Sequence, residues 1–242
     1  MAAGFAPTSQ AATPAKRSPA RLVTSVVSAA RTIAVRLDLD RGFGHETVRS
    51  AGRSAAVAAW LLRGPSAQLG FGDLERRAHR AGLEVEVNIG WSTTSLTVSG
   101  PAELAGLAGE LVADRLAPGN APDRVVERMQ QAVWVGHEES LHGVVGPMGD
   151  VVETAVAAME AGRTAFASRR AATLLRPRKF RGLAWAAFND APVRVVIVGD
   201  RASVEQAQEA WERRWPTTQG VDAEPAPSAL SLPKRLTHTG PL

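Results

Sequence analysis

The densest group of side chains able to hold a metal is His137-Glu138-Glu139-Ser140-Leu141-His142, two imidazoles and two carboxylates in one short run. A metalloprotease helix of the HExxH kind places its histidines four apart on one face, with the glutamate between them as general base. Here the histidines are five apart and diverge by more than a quarter turn on a helix, so the run reads as a solvated helix end. A relocated metal site at His137, Glu138 and His142 is the lesser reading. His45 and His79 each stand alone beside charged neighbours and read as exposed polar residues. Cysteine is absent and no serine sits in a GxSxG turn, so no nucleophile constellation can be assembled.

The other chemically suggestive group is basic: Arg169, Arg170, Arg176, Arg178, Lys179 and Arg181, interrupted by Pro177. Such a run could meet nucleic acid, an acidic peptide or a partner subunit. Without interleaved aromatics or an RNA-binding signature, a solvated surface loop is the preferred reading, with a binding module for an anionic partner as the alternative. The net charge of +4 is modest for 242 residues and does not call for nucleic acid. Absence of cysteine excludes disulfides and thiolate zinc sites and makes the cytoplasm the simplest location. No stretch reaches membrane-spanning length, and the first thirty residues lack the apolar core of an export signal.

These residues need elements to position them. Residues 1–21 and 219–242, rich in Ala, Pro, Ser and Thr, bury too little to offset ordering entropy and read as disordered tails around a folded part, 22–218. Ile33, Val35, Leu37 and Leu39 alternate with polar residues from Thr32 to Asp40, the period of a half-buried strand. An alanine-rich helix is expected from Thr47 to Arg63, stopped by Gly64-Pro65. A short charged helix from Asp73 to Ala81 ends at Gly82, and Leu83–Asn88 and Trp91–Ser99 alternate as a hairpin. Helices are expected over Pro101–Leu116, from about Pro122, and over Val151–Arg170. The apolar run from Pro192 to Gly199 reads as a strand covered on both faces, and Ser203–Trp215 as a helix with Ser203 as N-cap. The expected order is β, α, α, β, β, α, α, α, β, α, an α+β fold with helices over one mainly antiparallel sheet.

This order resembles the N-terminal half-domain of the M16, insulinase-type, peptidases. In that family a strand leads through a glycine and an acidic residue to the zinc helix, as Gly42, Gly44 and Glu46 lead here to the helix of Ala55. Leu74, Glu75, Ala81 and Gly82, with the strands from Leu83 to Thr97, occupy the next places. Leu111–Leu116 is similar to a "ladxl" phrase, Asp123–Arg128 to a "vxxER" phrase, and Val195–Asp200 to the closing "vvvGd".

The resemblance implies a zinc site built from an inverted HxxEH motif and a glutamate on a later helix. Aligned on Gly52 and Gly64, those places fall on Ala55, Ala58, Ala59 and Trp134, none of which can bind metal or carry a proton. No His, Asp or Glu occurs between Thr47 and Arg63, so a small slip in alignment restores nothing. The implied protein is a single half-domain without cofactor: a non-catalytic subunit that handles peptide by pairing with a zinc-bearing M16 homologue, or with itself. The six tryptophans read mostly as core. Trp60 and Trp134 are expected to fill the volume the ligands vacate.

Overall fold

The structure is a computed structural model that describes residues 20–142 and 165–215. Its sheet has five strands: β1 (Arg21–Val26), β2 (Thr32–Leu39), β3 (Glu84–Ile89), β4 (Thr94–Pro101) and β5 (Val193–Gly199). They lie in the order β1-β5-β2-β4-β3. Pairing is antiparallel except between β1 and β5. The register aligns Leu37 with Val195 on one side and Leu96 on the other, and Leu96 with Val87, so one face is apolar from strand to strand. The opposite face carries Arg36, Asp38, Arg194, Glu84 and Glu86. There Asp38 accepts from Arg36 at 2.7 Å and lies 3.2 Å from a terminal guanidinium nitrogen of Arg194.

Helices cover the apolar face in two layers. α1 (Arg53–Arg63) and α3 (Ala105–Asp114) lie on the sheet, α7 (Arg201–Glu212) packs on α3 and β5, and α2 (Asp73–Ala81) flanks α1 and β3. An outer layer, α4 (Asp123–His142), α5 (Ala165–Thr173) and α6 (Pro177–Asp190), packs on α1 from outside. α1 is thus enclosed by sheet and helices, and small side chains allow it: Ala55, Ala56 and Ala58 are buried. At the α3–α7 contact a side chain on Gly109 would meet the Ala207 carbonyl oxygen at 2.4 Å, so only glycine lets these backbones approach.

The α+β class, the mainly antiparallel sheet and the one-sided helix packing agree with the sequence reading, and α2 spans the residues read for it. Several readings are corrected. β1 was not anticipated; it opens at Arg21, where the tail was expected to end, and its six-residue pattern is mostly exposed. The expected Thr47–Arg63 helix is a 3-10 turn, Val48–Ser50, followed by α1, with Gly52 between them at φ +86°. Pro101 ends β4 and does not start α3. β5 alternates instead of being covered on both faces, because its second face is the open side of the sheet.

Asp200, not Ser203, caps α7: its carboxylate accepts from the Ser203 amide at 2.8 Å. The basic run is not a loop, since Arg169 and Arg170 lie in α5 while Arg178, Lys179 and Arg181 lie in α6 behind its cap, Arg176. Of the helix read over Val151–Arg170, only the part from Ala165 falls within the described residues. Trp60 and Trp211 are core, and Trp185 and Trp215 pack against it, but Trp91 and Trp134 are exposed.

Candidate functional site

The N-terminus of α1 is held by a buried carboxylate. Glu46 accepts from the Gly52 amide at 2.9 Å, the Ser54 amide at 2.7 Å and the Ser168 hydroxyl at 2.6 Å. The Ser168 oxygen accepts in turn from the Ala55 amide at 3.2 Å. Negative charge there satisfies amides that have no partner within the helix and opposes the positive end of its dipole. Gly52 is required beside it, because a side chain there would stand 2.6 Å from the Ala172 amide nitrogen. At the other end buried Arg115 donates to the Gly64 carbonyl at 2.8 Å, and burial pushes its guanidinium down to about 10. Gln130, also buried, reaches from α4 to the carbonyls of Ala172 at 3.0 Å and Leu175 at 2.6 Å, joining α4 to the end of α5.

This framework surrounds a cavity of about 840 Å³. Its inner wall is α1, through Ala55, Ala58, Ala59, Leu62 and Arg63. Val87 and Ile89 of β3 and Phe71 form one side. α4 faces α1 with Arg128, Met129, Gln131, Ala132, Val133, Val135 and Gly136, and Arg169 enters from α5. β3 is an edge strand paired only to β4, so its second edge is open beside the cavity among the described residues.

The three alanines assigned to the motif places therefore share one wall of one cavity, opposite α4. Trp134 is 46% exposed and is not part of that lining; the residues of α4 that face the alanines are its neighbours. Nor do Trp60 and Trp134 fill the space. Trp60 is buried elsewhere against Gly64, where an added side chain would meet its ring at 2.4 Å. Small residues on both walls leave the volume open. Among the described residues no His, Asp, Glu or Cys lines the cavity, and no group of three such residues stands close enough to hold a metal. The described lining offers no donor set for a zinc ion. His45 and His79 are exposed and apart, while the side chains of His137, Glu138, Glu139 and His142 lie outside the described residues.

The basic residues divide by role. Arg169 lines the cavity, Arg181 pairs with Asp123 at 2.6 Å, and Arg170, Arg176, Arg178 and Lys179 are exposed. Arg128 was not singled out from the sequence. It is the arginine of the "vxxER" phrase, which gave it no role, and the packing of α4 on α1 turns it to the cavity.

No family model and no curated protein matches the sequence. Solved structures do. A protease from Helicobacter pylori superposes with a TM-score of 0.63 over 88% of this chain and 53% of its own, at 15% identity. The first half of the periplasmic protease PqqL from Escherichia coli superposes at 0.65, over 80% of this chain and 42% of that one, at 11% identity. The ferredoxin protease FusC, solved as a point mutant in complex with Arabidopsis ferredoxin, gives 0.62 over 80% of this chain and 22% of its own, at 15% identity. The fold is that of the M16-type proteases. The chain spans about half the length of the Helicobacter protein and less of the others, as one half-domain of the M16-type fold does. Among the described residues no helix is long and apolar enough to cross a membrane.

Proposed function

We propose that this chain is a non-catalytic M16-like half that binds peptide in the cavity between α1, α4 and β3 and works paired with a zinc-bearing homologue or with a second copy of itself. The observation that carries this reading is the wall of Ala55, Ala58 and Ala59, at the places where the resembling family keeps its ligands, lining an open cavity without a metal donor among its described residues. An edge strand beside an apolar cavity suits an extended peptide: backbone groups of β3 supply hydrogen bonds and the cavity takes alternate side chains. Chains of the same fold that act as proteases are larger, and one of them was solved with a protein bound, which supports an assembly that handles peptide or protein. Cytoplasmic residence rests on cysteine content alone and is not shared by PqqL, described as periplasmic.

The test begins with metal analysis of the purified full chain after zinc loading and buffer exchange. The expected result is essentially no retained zinc, together with co-purification of a zinc-bearing homologue or a stable homodimer. Zinc near one per chain, lost in His137→Ala and His142→Ala, would overturn the reading in favour of a relocated metal site. Ala59→Trp, which places a large ring in the cavity, is expected to abolish peptide binding while leaving the circular dichroism spectrum unchanged.

A further inference from the structure

The charge of the cavity is one-sided. Among the described residues Arg63, Arg128 and Arg169 line it and no carboxylate does. Arg63 is engaged by Glu75 at 2.9 Å. Arg128 and Arg169, on facing elements α4 and α5, have no carboxylate partner among the described residues. The remaining walls are alanine, valine, isoleucine, leucine, methionine and phenylalanine, apart from Gln131 and Gly136. Guanidinium groups beside an apolar wall attract a carboxylate, and their planar donor fork matches its two oxygens.

Resting on the peptide-binding reading, we propose that the cavity selects acidic peptides: an extended segment lies along the free edge of β3, its apolar side chains rest on the alanine wall, and an Asp or Glu side chain meets Arg128 and Arg169. The carboxylate is assigned to a side chain and not to a chain terminus, because the edge of β3, Glu84–Ile89, offers six residues along which the interior of a peptide can pair. A lysine or arginine in this cavity would face like charge and, among the described residues, no carboxylate to receive it, which disfavours basic peptides.

The test uses the full chain and three dye-labelled peptides, blocked at both termini and identical except for a central Glu, Gln or Lys within an apolar sequence, read by fluorescence anisotropy. The Glu peptide is expected to bind about tenfold tighter than the Gln peptide, the Lys peptide more weakly than either, and the Glu advantage to shrink as salt is raised. Arg128→Ala/Arg169→Ala is expected to remove the advantage of the Glu peptide over the Gln peptide, the ratio of the two affinities falling to about one. Arg128→Glu/Arg169→Glu is expected to move the preference to the Lys peptide, a gain that a misfolded variant cannot produce. Equal binding of all three peptides, still blocked by Ala59→Trp, would overturn the acidic preference and leave peptide binding standing. A Gln peptide with a free C-terminus binding as tightly as the blocked Glu peptide would also overturn it, and binding of none would overturn both readings.

Discussion

Glu46 does the most structural work of any single side chain around the cavity. Its carboxylate closes the N-terminus of α1 and, through Ser168, ties α5 to the same point. A buried carboxylate that receives two amides and a hydroxyl is costly to remove, since the donors are left unpaired in a site closed to water. Glu46→Ala is expected to cost about 3 kcal/mol in urea unfolding, and Ser168→Ala about 1 kcal/mol. Equal and small losses in both would show that solvent reaches these amides. Ala55, Ala58 and Ala59 act differently: being small, they keep the cavity open. Their identities were plain in the sequence, but the residues opposite them were not. Counting along α4 from the ER phrase selected Trp134, whereas the helix turns Met129, Ala132 and Gly136 towards α1, because side-chain direction depends on how a helix is rolled against its neighbours.

At the scale of elements, local chemistry sets most ends. Gly82, at φ +84°, stops α2 by accepting a left-handed backbone, and Asp200 starts α7. The Asp200 carboxyl is held below its ordinary 3.8, chiefly by the backbone hydrogen bond from Ser203. An acid whose folded pKa is depressed contributes stability above its unfolded pKa and loses it as pH falls through the folded value. Asp200→Asn keeps a capping oxygen but no charge. The stability difference between wild type and Asp200→Asn is therefore expected to be constant near neutral pH, to shrink as pH falls below 3.8 and to vanish once it passes the lower folded value, as read from urea midpoints across a pH series. A difference that persists in acid would show that Asp200 does not cap α7 as a charged group. The cap reading from sequence was three residues late because Ser203 and Asp200 form one local network, in which the Ser203 hydroxyl also donates to the Asp200 carbonyl at 3.1 Å.

At the scale of the molecule, the sheet joins distant parts of the chain: β5 sits between β1 and β2. β1 covers an edge that would otherwise expose Val193–Gly199, a strand rich in valine and isoleucine. Yet β1 buries little itself, with Leu22 packed on the core and Val23 and Val26 exposed. Truncation to begin at residue 28 is expected to lower stability modestly and to increase aggregation sharply, measured by light scattering at matched concentrations. A truncated chain as soluble as the full one would show that β1 does not protect that edge. This role was hidden in the sequence, because Arg21–Val26 is short and its pairing is with residues far along the chain.

What the sequence determined by itself was everything carried by local periodicity and composition: β2, α2, the β3–β4 hairpin, the amphipathic stripe of α3, the α+β class, and an α1 without any metal donor. These follow from spacing over one or two turns or a few alternations, where neighbouring residues fix the outcome. The tertiary structure decided the placement of β1, the roll of α4, the division of the basic run between cavity and surface, and the open volume that Trp60 and Trp134 were expected to occupy. Those depend on which surfaces meet across long stretches of chain, and packing between helices is set by the shape of both partners, which neither segment encodes alone.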